Sequence, residues 1–402
     1  MTARTPTHWA AAALAHARSI TAASPGRGSA TTAEARAAGY VQTSLTNLGI
    51  PSRVQPFLGL RSIWLFAALS MGISLAGHAA YWLLAQAVNP ILAAALSTAV
   101  FSFSAILMWR KFTFQDYPLQ ETLPHAPSQN VVVVLPPSGP VKRRVVLVGH
   151  LDSHRRVWWF ASDLLVRLYA RLLPAGFLGI LLSPLFYLAA AVSGLQALAI
   201  PGVILAVGHF LAWFTGMTAD LGPYSPGAND NAAAVGTLLA LAERLKAEPL
   251  RQTEVWLAFT GCEETGCDGM RHLLKEDGEA LKDAIFLDFE LVGIGERLVY
   301  LQQEGLAHRR KIPSQMEQLA LEAGKPSNIR PFKAPPAGFF TENNTLWEKG
   351  YTSLCIMNLR QENDLLPEWH RHTDTSERLE LPALERAHDF AWRLLHIVDG
   401  SS

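Results

Sequence analysis

Residues 62–109 and 172–219 contain no Asp, Glu, Lys or Arg, and each run is 48 residues long. A helix needs ~20 apolar residues to cross the hydrocarbon core of a bilayer. Soluble helices of comparable length carry a charged face. Each run therefore predicts two membrane-spanning helices joined by a tight turn, near residues 86–90 in the first and 193–196 in the second, rather than a hairpin buried in a soluble core. Trp64, Tyr81, Trp82 and Trp109 fall near the expected ends, where interfacial aromatics gather. Pro174, Pro184 and Pro201 interrupt the second run, and membrane helices tolerate proline better than soluble ones do.

The rest of the chain reads as one soluble domain split by these runs. Its pieces are residues 1–60, the first hairpin at 61–111, a linker and first ligand strand at 112–154, an interfacial stretch plus second hairpin at 155–219, and the remainder at 220–402. The Ala-rich run 9–23 lacks the basic start and leucine-dense middle of a signal peptide and predicts a helix of the soluble domain. Thr31 and Thr32 can cap a second helix that Gly49 closes near residue 48, and residues 52–57 alternate like an edge strand. Residues 129–135 predict another strand. The basic, aromatic stretch 155–171 could lie along a membrane surface, with Trp158, Trp159 and Phe160 buried and Arg167 and Arg171 toward headgroups. Strands are expected over 254–260, 284–289 and 353–358, and helices over 230–248, 266–275, 314–323 and 379–397. Strands alternating with helices mean a three-layer α/β/α domain with a mixed, mostly parallel sheet, to which the four spanning helices are added.

Lys and Arg number 34, as do Asp and Glu, for a net charge of zero. That balance excludes the basic stripe expected of a nucleic-acid-binding protein. The three cysteines, Cys262, Cys267 and Cys355, have neither disulfide-like nor zinc-finger spacing, so they read as small apolar packing groups and demand no oxidising compartment.

Chemistry-bearing residues recur where strands end. Residues 145–153, V-V-L-V-G-H-L-D-S, read as a buried strand with His150 and Asp152 at its polar tip. Residues 226–231, P-G-A-N-D-N, place Asp230 ahead of a helix. Residues 261–266, G-C-E-E-T-G, place Glu263 and Glu264 directly after a strand. Asp288 ends the strand in A-I-F-L-D-F-E-L-V-G, and W-H-R-H-T-D-T at 369–375 offers His370 and His372. Ligands of α/β sheets bind at the carboxyl ends of the strands. Carboxylates and imidazoles converging there would repel unless a cation sat among them. Oxygen and nitrogen donors without thiolate suit zinc with open coordination positions. In an adjacent Glu pair, one residue can bind the metal while the other moves a proton.

With these motifs in this order, the chain resembles the M28 family of zinc metallopeptidases, the aminopeptidase-type enzymes with co-catalytic zincs, over about residues 8–57, 129–154 and 221–398. Both apolar runs fall outside the resemblance. It implies a zinc-exopeptidase-like fold and two zinc ions, one held by His150, Asp230 and Asp288, the other by Asp230, Glu264 and His370, with Asp230 bridging. Glu263 matches the general base, and Asp152 matches the carboxylate that orients His150. A cis peptide at Asp230–Asn231 is implied as well. The family spacing of His, three residues, then Asp-Thr selects His370 over His372, because Asp374-Thr375 follows at that interval. Where the family often has D-N-A-S-G, this chain has D-N-A-A-A, which removes no ligand.

The expected function is that of a membrane-embedded zinc exopeptidase, an aminopeptidase acting on a peptide or small peptide-like substrate. Two other readings fit less of the chain. A glutaminyl cyclase shares the architecture with one zinc, whereas His150 with Asp288 would complete a second site. A membrane scaffold or receptor built on a dead peptidase domain should have lost ligands, and none of the matched positions is lost. Residues 335–347 and 360–368 are expected to line the substrate pocket as loops at the catalytic edge. Both hairpins begin and end in the soluble domain, so the four spans should leave both termini on the catalytic side. Arg61, Arg110, Lys111, Arg155, Arg156, Arg167 and Arg171 flank the spans there and the two turns carry no basic residue. By the positive-inside rule that side is the cytoplasm.

Overall fold

A computed structural model describes residues 8–306, 308–362 and 364–400. Residues 1–7 and 401–402, at the ends of the first and last pieces, and residue 363 of the 360–368 loop lie outside the described residues. The chain opens with helices α1 (His8–Ala23) and α2 (Thr32–Asn47), strand β1 (Ser52–Leu60), and the long apolar helices α3 (Ile63–Ala87) and α4 (Pro90–Phe112). Strands β2 (His125–Leu135) and β3 (Arg143–His150) follow, then the long helices α5 (Asp163–Ser193) and α6 (Ile200–Ala219). The remainder comprises α7 (Ala233–Ala247), β4 (Thr253–Thr260), α8 (Asp268–Asp277), β5 (Ile285–Phe289), β6 (Arg297–Leu301), the short pair β7 (Gln303–Glu304) and β8 (Arg310–Lys311), α9 (Ser314–Ala323), β9 (Arg330–Phe332), α10 (Glu342–Glu348), β10 (Thr352–Leu359) and α11 (Leu381–Gly400).

Eight strands form one mixed sheet in the order β1-β2-β4-β3-β5-β10-β6-β9. Its centre, β4-β3-β5-β10, is parallel throughout. Successive strand residues point to opposite faces, and the packing shows it. Val145 and Leu147 join Val255, Leu257 and Phe259 against α1, α7 and α11, while Val146 and Val148 join Trp256 and Ala258 against Met270 and Leu273 of α8.

Strand register fixes where the apolar helices leave the domain. The carboxyl end of β3 is His150, level with Thr260 of β4. Strand β2 runs antiparallel to β4, with Val131 opposite Phe259, so its amino end lies at that same edge. Leu60, the last residue of β1, pairs with His125, the first of β2. The α3–α4 hairpin between β1 and β2 and the α5–α6 hairpin after β3 therefore emerge from the edge where the parallel strands end.

By length and composition all four long helices could cross a membrane. They pack in a ring, α3 against α4 and α6, and α5 against α4 and α6. Outward residues such as Leu83, Val192 and Ile204 are about two-thirds exposed (70%, 70% and 68%), so these helices present apolar surface that no other described part of the chain covers. Inside the ring, Ser70 and Ser104 hydroxyls meet at 3.0 Å, and His78 joins Tyr187 at 2.5 Å and His209 at 3.0 Å. Polar contacts of this kind tie the four helices to one another across the inside of the ring. Asn89 caps α4 by accepting from the Ile91 and Leu92 amides, with Pro90 at the first turn, a sharp start suited to a tight hairpin. The separate surface helix expected within 155–171 does not form. A single short turn at Trp158–Phe160 precedes α5, which runs unbroken through Pro174 and Pro184 and contains Arg167 and Arg171 in its own first turns.

Candidate metal centre

The end of β3 and four loops at the carboxyl edge bring His150, Asp230, Glu263, Glu264, Glu290 and His370 together. Nε2 of His150 lies 3.3 Å from Oδ1 of Asp230, 3.5 Å from Oε1 of Glu290 and 4.0 Å from Oε2 of Glu263. Nε2 of His370 lies 3.5 Å from Oδ2 of Asp230 and 3.2 Å from Oε2 of Glu264. Asp230 thus turns one oxygen toward each histidine. His372, two residues on, is exposed and outside the cluster.

Buried groups around the cluster hold these side chains in place. Asp152 accepts from the amides of Glu263 and Glu264, both at 3.1 Å, and from the Ser29 hydroxyl at 2.6 Å, while its Oδ1 stands 3.4 Å from Nδ1 of His150. The loop carrying the Glu pair is shaped by Cys262 and Cys267, whose φ of 53° and 60° lie in the left-handed region that non-glycine residues seldom adopt. Glu34 of α2 accepts from the Cys262 amide at 2.8 Å and the Ser128 hydroxyl at 2.8 Å, pinning the start of that loop. Asp374 accepts from the amides of Asn229 and Asp230 at 2.7 and 3.1 Å, and the Asp230–Asn231 peptide is cis. Arg27, fully buried, donates to the carbonyls of Leu151, Pro226 and Gly227 at 2.8, 3.0 and 2.7 Å, clamping the loop after β3 to the loop of Asp230. Sequence reasoning passed over Arg27, Glu34 and Ser29, because a loop Arg and a helix Glu look like solvated surface. The one available signal was a lone arginine among glycines in S-P-G-R-G-S.

Asp288 departs from the expectation. In the parallel pairing of β3 and β5, Asp288 is level with Val148, two residues short of His150. Glu290 continues the ladder, its amide donating to the Ile356 carbonyl at 3.0 Å. Being two residues further along the same face, it comes level with His150, ~6.6 Å beyond Asp288. Asp288 instead accepts from the Asn343 amide at 3.3 Å beneath the cluster, where burial raises it to about 6. Another residue not anticipated is His154, whose ring stacks on His370 at 3.7 Å and which groups with Glu264 and His370. Its Nδ1 lies 2.9 Å from the Arg155 carbonyl, so the ring donates there and leaves Nε2 as the acceptor.

The electrostatics call for a cation. Burial, and then the neighbouring Asp230, push Glu264 up to about 8. Burial with Asp288 and Asp230 nearby does the same for Glu290, and burial raises Glu263 well above the carboxylate range, with Glu290 and Glu264 adding to it. Burial lowers His370 to about 3, whereas on His150 the Glu290, Asp152 and Asp230 carboxylates outweigh burial and raise it. Oε1 of Glu264 and Oε1 of Glu290 are buried without a hydrogen-bond partner. Donors about 2.1 Å from a tetrahedral zinc stand about 3.4 Å from one another, which is the spacing seen around both histidines. The residues present fit zinc.

A cavity of about 140 Å³ opens in front of the cluster. Its walls include Glu263, Glu264 and His370 on one side, Phe339 and Phe340 from the 335–347 segment, and the domain-side ends of α3, α4 and α5 on the other. Within the described residues of 360–368, none lines it. Cys267, treated as packing in the sequence, places its thiol 3.5 Å from Oε1 of Glu263.

Residues 191–395, more than half of the chain, match Peptidase family M28. The chain belongs to peptidase family M28. No curated protein matches it, but solved structures share the fold. A zinc-dependent exopeptidase from Parabacteroides distasonis superimposes with a TM-score of 0.56 at 13% identity, over 98% of this chain and 98% of that one. For a zinc aminopeptidase from Bacillus subtilis the TM-score is 0.56 at 14% identity, over 98% and 96%. A glutaminyl cyclase from an Acidobacteriales bacterium gives 0.56 at 14%, over 99% and 98%. At such identities the likeness speaks for the M28 fold, which peptidases and cyclases share. Family membership supports a zinc-dependent hydrolase.

Proposed function

We propose that this M28 protein is a membrane-embedded exopeptidase, an aminopeptidase, that holds two zinc ions. His150, Asp230 and Glu290 would hold one, with Glu290 where Asp288 was expected, and Asp230, Glu264 and His370 the other. The observation that carries this reading is the split of the Asp230 carboxylate between two histidines, each with a further carboxylate of its own. Bound zinc supplies Lewis-acid polarisation of the substrate carbonyl and makes water acidic enough to attack at neutral pH. Glu263 is the residue left over once the metal ligands are counted, and it faces the cavity. Its carboxylate takes the proton from the attacking water and passes it to the leaving amine. Asp152 holds His150 and both Glu amides in register, so the base and the ligands move as one unit. The surplus of carboxylates also attracts a free substrate ammonium, which favours cleavage at the amino end.

The exposed apolar faces of α3 to α6 support membrane embedding. Arg61, Arg110, Lys111, Arg155 and Arg156, gathered at the domain end of the helices, support a cytoplasmic catalytic domain. Glu263→Gln should keep its zinc and lose at least 10²-fold in kcat, the scale of a lost general base. Retained activity within a few-fold would remove Glu263 from that role. Offered a peptide beginning with Gln, the enzyme should release free glutamine; a pyroglutamyl peptide of unchanged length would mark a cyclase instead.

A further inference from the structure

The cavity is walled opposite the metal cluster by Trp64 and Phe66 of α3, Met108, Lys111 and Phe112 of α4, and Tyr169 of α5. Lys111 is the exception in this apolar wall. A lysine at the end of a spanning helix ordinarily extends toward headgroups or water, but this one turns into the cavity. Its Nζ donates to the Thr265 carbonyl at 2.8 Å and stands over the rings of Phe66 and Tyr117 at 5.9 and 5.5 Å. It lies so close to Gly266 that a Cβ there would meet it at 2.4 Å. One carbonyl satisfies one of three ammonium protons. Among the described residues no ion pair forms to Lys111; the acid whose charge acts on it most, Asp268, is engaged with the Leu60 amide at 2.9 Å. Arg271 also lines the cavity; its guanidinium pairs with the exposed Asp116 at 3.3 Å and donates to the Phe114 carbonyl at 2.8 Å, which leaves Nε buried without a partner. The cavity thus has an acidic end at the metal cluster and a cationic end a short distance away.

We propose that Lys111, with Arg271 behind it, binds the terminal carboxylate of the substrate, so that the enzyme acts on short apolar peptides, chiefly dipeptides and tripeptides. This rests on the exopeptidase reading and names its substrate class. The reach is right. The Gly266 amide donates to the Glu263 carbonyl at 2.8 Å, a turn that keeps the two Cα atoms within about 7 Å, and Lys111 caps that turn. An extended peptide covers about 3.3–3.6 Å per residue, so a carboxylate one or two residues beyond the scissile bond arrives at the ammonium. At roughly 10–15 Å³ per water, the cavity of about 140 Å³ has room for a short peptide. The side chains of such a peptide would lie against the α3 and α4 ends, which gives the inserted helices a part in specificity.

Binding can be read without turnover. With full-length, zinc-loaded protein in nanodiscs and Glu263→Gln to stop hydrolysis, calorimetry compares Leu-Leu with its carboxyl-terminal amide. The free dipeptide should bind tighter by on the order of 10- to 100-fold, the scale of a charge-assisted hydrogen bond. Lys111→Met should erase that preference by weakening the free dipeptide alone, and Lys111→Arg should keep part of it. Equal binding of the two ligands, no binding of either, or equal weakening of both by Lys111→Met would overturn the proposal, the last because it is what loss of the Thr265 contact alone would produce. The ligand comparison in protein with Lys111 intact stands even if a Lys111 variant fails to fold. A preference for the free dipeptide without hydrolysis of any peptide by protein with Glu263 restored would sink the exopeptidase reading and leave the carboxylate site in place.

Discussion

The register of β5 against β3 makes a sharp prediction about which acid binds metal. Glu290 is level with His150 and its Oε1 stands 3.5 Å from the imidazole, buried and without a hydrogen-bond partner. Asp288 sits a step below; its Oδ2 accepts from Asn343 while its Oδ1 is, like Oε1 of Glu290, buried without a partner, so it is the level along the strand that separates the two acids. Glu290→Gln preserves shape but removes one charge of a buried ion pair. Breaking such a pair costs about 3–5 kcal/mol, which at about 1.4 kcal/mol per decade weakens one zinc site by roughly 10²- to 10⁴-fold. Asp288→Asn alters only a residue behind the ligands, a change worth about 10- to 100-fold. The assay is metal content by mass spectrometry after dialysis against a graded zinc buffer, with circular dichroism to confirm folding. Glu290→Gln should fall from two zincs to one at free zinc concentrations where Asp288→Asn still holds both. The reverse order would mean that the ligand is Asp288 and that the strand end rearranges when metal binds.

Arg27→Met should destabilise the protein by about 3–5 kcal/mol in urea titration, since it strips a buried charge from three carbonyls and leaves Asp374 and Asp152 without their counter-ion; a loss below about 1 kcal/mol would show that the clamp is not needed. In metal-free protein, Glu264 and Glu290 are raised from their ordinary 4.5 to about 8, so the folded state holds protons that the unfolded state releases. Their contribution is intact below about pH 4.5 and lost as pH rises toward 8, so the melting temperature of zinc-stripped protein should fall across that window while zinc-loaded protein stays level. A flat profile for stripped protein would contradict the crowding of acids. For orientation, a cysteine placed at Val88 or Leu195 should react with an impermeant thiol reagent on intact cells and one at Lys311 should not; the opposite pattern would put the catalytic domain outside.

The sequence by itself settled whatever depends on composition and local periodicity. The uncharged runs became the four apolar helices, because a helix of that length without a charged face has no alternative surface to offer water. The unbroken apolar run in residues 145–148 became a strand buried on both faces, and the histidines and acids at strand ends gathered because parallel strands all finish at one edge. What local pattern could not supply was register and long-range partnership. Residues 288 and 290 share a face of β5, so parity cannot choose between them; the level at which β5 pairs with β3 does. Strands β6 and β9 and helix α10 are short, and they exist because neighbours complete their hydrogen bonds and cover their apolar side chains. Arg27 and Glu34 read as surface charges until the loops around them close. Lys111 read as a basic flank of a span, and only the placement of its hairpin at the catalytic edge, fixed by the antiparallel pairing of β2 with β4 and of β1 with β2, turned its ammonium toward the cavity in front of the metal cluster.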